Sequence, residues 1–377
     1  MDRLSKPVTS DHHESRRRGV IGLYHPRALR GDGGITRSVR SLATALNEKG
    51  HQCRVICDGP RRPEVHPSWV GIPHVEMGPL HLPRQIDEAI RGLDVLVLHS
   101  AWTSYNAAAG REARRLGLPY VLAPRGAYEP RILERKPFMK RIWWRLFESR
   151  LVQEAAGIHV FFDSQTEQLR RLGYEGPVVV APNGVVVPDD IRWDGGSLDA
   201  LVFIGRFDME HKGLDTLLEG LGLLSREDRP RVILSGPDWR GGKKQTEARV
   251  RELGLQRWVE VRAPVYGREK FELMASARGF LYPSLFEAFG NSAAEAASLG
   301  VPVLTGQYPL GEYLRSRDAG LVVAPDPEDM ATGLSRLLEP SAARLGANAR
   351  PAMSGFTWEA VAQSWATQLL SLDAVAP

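Results

Sequence analysis

A rhythm that runs twice along the chain limits what it can fold into. From Val20 onward, short apolar runs that read as strands alternate with stretches of helical periodicity. "GVIGLYHP" leads through the glycine turn "GDGGI" into a helical pattern with Val39, Leu42, Ala43 and Leu46 on one face, which Gly50 ends. "HQCRVICD", "DVLVLHS", "PYVLAPRG" and "GPVVVAPNGV" read as further strands. "SQTEQLRRLG" reads as a helix opened by a capping box of Ser164 and Glu167. A link, "VVPDDIRWDGGS", interrupts the rhythm, which then restarts. "LDALVFIG", "RPRVILSG", "WVEVRAPV", "RGFLYPS" and "VPVLTG" read as strands, and the helical patterns "LDTLLEGLGLL", "KKQTEARVRELG", "EKFELMASA" and "NSAAEAASLG" separate them.

Strands separated by helices imply parallel sheets covered on both faces. Two such blocks predict an α/β chain of two Rossmann-like domains facing a cleft, and 377 residues suffice for two cores. The expected boundaries are 19–188 and 197–355, behind a disordered polar tail at 1–18. A final helical pattern within 356–373, "TWEAVAQSWATQLLSL", has no strand after it in its own block. No apolar run approaches the ~20 residues of a membrane span. The first residues lack the apolar core of a secretion signal, which points to a cytoplasmic protein. A net charge of +4 suits anionic ligands or a membrane surface without singling out either, and no nucleic-acid partner is expected. Cys53 and Cys57 fall on one face of a strand, as reduced core thiols.

Candidate chemistry concentrates in "PSLFEAFGNSAAEAASLGVPV". In an open parallel sheet, ligands bind beyond the carboxyl ends of the strands. "LFEAFG" is a loop at that edge, and the helix expected from Asn291 presents unpaired N–H groups and a positive dipole end to an anion. Gly290 lets backbone approach the ligand. Glu295, leaning toward the helix start, can accept both hydrogens of a ribose diol, while Glu287 reaches hydroxyls on the far side of the phosphates. "GRFDMEHKGLD" adds Arg206 and Lys212 at the end of another strand, two cations suited to a diphosphate. The acidic "DPED" reads as a helix start at Asp326 rather than a metal site, and no metal or other cofactor is expected.

With "LSGPD" and "GVPVLTG", these motifs resemble the C-terminal half of retaining GT-B glycosyltransferases of family 4, of the bacterial polysaccharide and glycolipid type. "GGITRSV", "DVLVLHSAW", "LAPRGAYEP", "SQTEQ" and "APNGV" are similar, in the same order, to the N-terminal half. The resemblance implies two Rossmann domains, the donor side in the second, and a C-terminal helix crossing back to the first. It implies hexosyl transfer from a UDP- or GDP-sugar to a glycan, lipid-linked or small-molecule acceptor, with retention at the anomeric carbon. Glu287 would bind the donor hexose; Phe289, Gly290 and Asn291 would lend backbone donors; Glu295 would take the ribose; Arg206 and Lys212 would hold the diphosphate. Gly236 would let the nucleoside lie against the sheet edge, Gly33 and Gly34 would face the phosphates, and His99 would lie near the transferred hexose. Arg125 stands where the family commonly has a second histidine, and Ser100 where glycine usually follows the first. Two other readings stay open: a non-catalytic sugar-nucleotide-binding protein, and a glycoside hydrolase using the two glutamates. A GT-B-type epimerase is a further variant.

The stretch 131–151, "RILERKPFMKRIWWRLFESRL", places Arg131, Arg135, Lys136, Lys140, Arg141 and Arg145 among Phe138, Ile142, Trp143, Trp144, Leu146 and Phe147. A single basic amphipathic helix here either lies peripherally on an anionic bilayer or packs its aromatic face onto the first domain.

Overall fold

The computed structural model describes residues 19–26, 34–58, 74–77, 83–134 and 136–372. The tail expected at 1–18, Gly33 and Arg135 lie outside the described residues.

The first half forms a seven-stranded parallel sheet from β1 (Val20–Tyr24), β2 (Gln52–Asp58), β3 (His74–Met77), β4 (Val95–His99), β5 (Tyr120–Ala123), β6 (Gly157–Val160) and β7 (Val178–Val180), in the order β3-β2-β1-β4-β5-β6-β7. The second half forms a six-stranded parallel sheet from β8 (Leu201–Ile204), β9 (Val232–Ser235), β10 (Val259–Arg262), β11 (Gly279–Tyr282), β12 (Val303–Gly306) and β13 (Leu321–Val323), in the order β10-β9-β8-β11-β12-β13. Central strands such as β4, β5, β8 and β11 are buried at every position, as runs of Val, Leu, Ile and Phe require when helices cover both faces.

In each sheet the chain direction of winding reverses once, between β1 and β4 and between β8 and β11. Crevices at such points are where ligands enter open α/β sheets. His99 ends β4, Gly205 and Arg206 follow β8, and the loop of Glu287 follows β11, so the sequence-predicted residues gather at both crevices.

The last helix, Trp358–Ser371, starts on Thr357, whose hydroxyl accepts from the Ala360 N–H. Val361, Ala362, Trp365, Ala366 and Leu369 pack with Leu23, Val97 and Val179 of the first sheet's core. The Gln368 amide accepts from the N–H and donates to the C=O of Val180, both at 2.9 Å, and so covers the edge of β7. Cys53 and Cys57 are both buried free thiols.

Two expectations need correction. Ser164 and Glu167 form no capping box; the Gln165 side chain instead accepts from the N–H groups of Phe161 and Phe162, and Glu167 pairs with Arg171. Residues 131–151 are not one helix. Pro130–Leu133 and Pro137–Trp143 are separate helices, with Lys136 left-handed between them, and a π-turn, Trp144–Glu148, precedes Ser149–Gln153.

Candidate active site

The second half supplies a connected polar cluster. Gly205 and Arg206 leave β8, and Gly213, left-handed, caps the helix Leu214–Leu223. A Cβ at Gly213 would lie 2.2 Å from the Pro283 carbonyl, so glycine is needed there to press this loop against the loop after β11. That contact brings Lys212 to Glu287, and the two side chains form an ion pair only 7% and 14% exposed. The Lys212 ammonium also donates to the Tyr282 hydroxyl at 2.8 Å and stands 4.6 Å over that ring. Burial alone would lower the Lys212 pKa, yet Tyr282 and Glu287 together hold it above the usual lysine value. Burial also raises the Tyr282 pKa, with a contribution from Glu287 and a smaller one from Glu295, so both carboxylates border this tyrosine.

His211 lies between the loops. Its Nε2 is 2.8 Å from the Phe286 carbonyl and its Nδ1 is 3.1 Å from Nη2 of Arg206. Arg206 stacks on Trp239 at 4.6 Å. Burial first, then Lys212, lowers the His211 pKa, so the ring is neutral and orients the guanidinium.

The helix Asn291–Leu299 starts as expected, capped by left-handed Gly290 at φ 93°. A Cβ built on Gly34, the first residue of Gly34–Glu48, would lie 3.8 Å from Nδ2 of Asn291. Two helix N-termini therefore converge from opposite halves, each with N–H donors that have no partner within its own helix. Glu295 accepts from Lys270 at 2.7 Å, an ion pair reaching in from the helix Gly267–Ala275. Phe289 is buried; its ring packs with Phe161 and Phe162 at 5.5 and 5.8 Å and helps join the halves. Gly236 has a local reason to be glycine: a Cβ would lie 1.7 Å from the Gly205 carbonyl, so close approach of two loops requires it whatever binds above.

The first half contributes His99, fully buried. Asn106 donates to the carbonyls of His99 and Ser100 at 3.2 and 2.9 Å and fixes the loop beyond β4. Ser100 is left-handed at φ 78°, a conformation in which glycine is unstrained. His99 Nδ1 accepts from Nε of Arg125 at 3.2 Å, Nη1 of Arg125 donates to Asn183 Oδ1 at 3.1 Å, and Nδ2 of Asn183 donates to Asn291 Oδ1 at 3.2 Å. Burial, then Arg125, His25 and His159, keeps His99 well below the ordinary histidine value and neutral. Burial lowers Arg125 to about 9, which leaves it charged at neutral pH.

Sequence reasoning missed Asn183, His211, Lys270 and Tyr282. Asn183 and His211 stood inside motifs already singled out, "APNGV" and "MEHKG", but nothing local marked Lys270 as the partner of Glu295. Among the described residues, no cluster of His, Cys, Asp or Glu could hold a metal ion.

Fold and site together define a two-sheet α/β protein of GT-B architecture, with helix starts from the two halves meeting at Gly34 and Asn291. A family described as "Glycosyl transferase 4-like domain" matches residues 33–184, and one described as "Glycosyl transferases group 1" matches residues 199–340. The chain belongs to the GT-B glycosyltransferases of family 4. It is 33% identical to the O-antigen chain mannosyltransferase B of Escherichia coli over 176 residues, 45% of this chain and 44% of that protein. It is 25% identical to the GDP-mannose:cellobiosyl-diphosphopolyprenol alpha-mannosyltransferase of Xanthomonas campestris over 244 residues, 63% of this chain and 62% of that protein. These matches span less than two thirds of either relative. Anabaena HepE in complex with UDP-glucose shares the fold, with a TM-score of 0.72, 17% identity, and 94% of this chain and 100% of that one covered.

Proposed function

We propose that this protein moves a hexose from a nucleoside-diphosphate sugar to a glycan or lipid-linked acceptor in polysaccharide or glycolipid assembly, with retention at the anomeric carbon. The reading rests above all on one observation: two helix N-termini meet at Gly34 and Asn291, while Arg206 and Lys212 occupy the loop after β8 at the crevice of the second sheet. Fixed donors and cations aimed at one place stabilise a leaving diphosphate as the glycosidic bond breaks through an oxocarbenium-like state. Glu287 is the acceptor for hexose hydroxyls and Glu295 for the ribose, with Lys212 and Lys270 holding each carboxylate in place. Each carboxylate already accepts from an ammonium, which suits hydroxyl recognition better than the proton-donor role a glycoside hydrolase needs. A GDP-sugar is the favoured donor on the strength of the mannosyltransferase relative; the UDP-glucose complex of the structural neighbour makes UDP-sugars the alternative.

The same reading places the protein at the cytoplasmic face of a membrane through residues 131–151. Phe138, Met139, Ile142, Leu146 and Phe147 are exposed there, beside exposed Arg131, Lys136, Arg141 and Arg145. Lys140 is turned inward, its ammonium bonded to the Ile132 carbonyl. Glu148, fully buried, anchors the segment by accepting from the Trp102 N–H, the Tyr128 hydroxyl and the Trp143 indole at 3.1, 2.7 and 3.0 Å.

The deciding experiment is thermal-shift profiling against GDP-mannose, UDP-glucose and related nucleotide sugars, followed by anomeric analysis of the product with the donor that binds. A ligand that binds only the folded state raises its melting temperature. No shift with any nucleotide sugar or nucleoside diphosphate would overturn the proposal.

A further inference from the structure

A guanidinium carries five donors and no acceptor. Wherever one meets a neutral imidazole, the ring nitrogen it touches holds the lone pair, so Nδ1 of His211 accepts from Arg206 and Nε2 carries the proton given to Phe286. His99 is fixed in the same way by Arg125, but its protonated Nε2 is buried with no hydrogen-bond partner among the described residues. That is a donor held ready for an oxygen that the described residues do not supply.

The polarity propagates. Because Arg125 can only donate, Asn183 must accept through Oδ1 and therefore turns its Nδ2 toward Asn291. Asn291 accepts through Oδ1 in turn, which leaves its Nδ2 as the group nearest the start of Gly34–Glu48. The amide orientations that usually have to be chosen are thus dictated by one cation. What remains uncommitted along the chain is donors: His99 Nε2–H, the Asn291 amide and the backbone N–H groups of two helices. The aromatic bed explains the choice of arginine. Its guanidinium lies 5.2 Å from the Phe161 ring centre and 5.9 Å from that of Trp365, and only a planar fork can stack there while donating in two directions.

We propose that Arg125 is a positioning residue that locks His99 as its Nε2–H tautomer and, through Asn183, couples that ring to anion binding at the start of the helix Asn291–Leu299. An oxyanion taking the Asn291 amide and the adjacent N–H groups pulls on the Asn183 contact, and Arg125 carries the change to His99. The coupling rests on the donor-site reading above; the tautomer lock does not.

The test is long-range proton–nitrogen NMR on the full chain labelled with nitrogen-15 histidine, His99 being assigned by loss of its signals in His99→Gln. In the wild type at neutral pH, His99 should show one tautomer, with Nδ1 at the lone-pair position. Arg125→Met should move both ring nitrogens toward the averaged values of exchanging tautomers. Arg125→Lys, which keeps the charge but has one nitrogen for two partners, should fail to restore the wild-type pattern; it also serves if Arg125→Met does not fold. Inorganic pyrophosphate should shift the His99 nitrogens in the wild type, and that shift should vanish in Asn291→Ala, which removes an exposed side chain together with its bond to Asn183. Retention of the single Nε2–H tautomer in both Arg125 variants overturns the lock. A pyrophosphate shift at His99 that persists in Asn291→Ala overturns the coupling. If calorimetry finds no pyrophosphate binding to the wild type, the donor-site reading and the coupling fall together, and the tautomer comparison still decides the role of Arg125.

Discussion

The buried pair of Lys212 and Glu287 allows a prediction whose size follows from its surroundings. Both side chains are largely withdrawn from water, at 7% and 14% exposure, whereas the pair of Arg84 and Glu88 is 90% and 65% exposed. An exposed i,i+4 pair is worth ~0.3–0.5 kcal/mol, while removing one member of a buried pair costs about 3–5 kcal/mol because the other charge is left without compensation. Glu287→Gln falls at the lower end, about 3 kcal/mol, since Tyr282 still accepts from the ammonium at 2.8 Å. Lys212→Met leaves Glu287, among the described residues, only His211 Nε2 at 3.9 Å, and should cost as much. The double variant leaves no unpaired charge and should be no worse than either single, which corresponds to a coupling of about 3 kcal/mol or more.

Urea unfolding of the four proteins checks this, and calorimetry should place each single variant ~6–12 °C lower in Tm. The difference should survive 1 M NaCl, unlike that for Arg84→Ala. The pH dependence has a definite sign. A lysine whose pKa is raised on folding contributes stability fully present below its unfolded value of about 10.4 and lost only as pH rises through the folded one. The variants' deficit should therefore stay constant from roughly pH 6 to 9. Ligand binding separates structure from function: Lys212→Met should weaken pyrophosphate, while Glu287→Gln, which releases the lysine, should not. Single-variant costs below about 1 kcal/mol, or strict additivity in the cycle, would refute the argument that this is a buried, mutually compensating pair.

Arg206→Ala should weaken GDP or UDP binding about 10- to 100-fold, from the loss of charge-assisted bonds worth ~1.5–3 kcal/mol, with little change in Tm because the side chain is 40% exposed; isothermal calorimetry measures it. His99 and His159 are both buried and held well below the ordinary histidine value, so they charge more easily once unfolded. Their contribution is complete above about pH 6.5 and is lost as pH falls toward the folded values, adding up to ~1.4 kcal/mol per pH unit for each residue to the slope of stability between roughly pH 6 and 5. His159→Gln should reduce that slope in urea titrations. Gly236→Ala should cost more than about 4 kcal/mol or prevent folding, because its methyl would overlap the Gly205 carbonyl; expression and melting report it. Glutamates at Lys136, Arg141 and Arg145 should abolish cosedimentation with anionic vesicles, at ~1 kcal/mol per charge removed, and serines at Phe138 and Leu146 should weaken it independently of salt.

What could be read from the chain, and what could not, follows from how far each signal reaches. The central strands announced themselves because burial on both faces demands unbroken apolar runs, as in "DVLVLHS" and "LDALVFIG". β6 is hard to recognise because its "GIHV" carries a histidine, buried all the same by a bond of its Nε2 to the Ala181 carbonyl and by stacking 4.4 Å from Trp365. β13, three residues long, was too short to display a period. The helix Ser104–Arg115 is equally hard to read: its buried face is made by Asn106, Ala109, Gly110, Glu112 and Ala113, with no large apolar side chain to mark it.

The site divides along the same line. Arg206 and Lys212 share one loop, and Gly290, Asn291 and Glu295 one loop and helix start, so their grouping was already present in sequence order. Glu295 with Lys270, and Asn291 with Asn183 and Arg125, are pairings made only when strands from distant parts of the chain end at the same edge. Sequence marked Arg125 merely as a departure from a familiar pattern. The three-dimensional arrangement gives the departure a physical consequence. An imidazole at this place could present either a donor or a lone pair to each neighbour, whereas a guanidinium imposes one direction on every hydrogen bond from β4 to the start of the helix Asn291–Leu299.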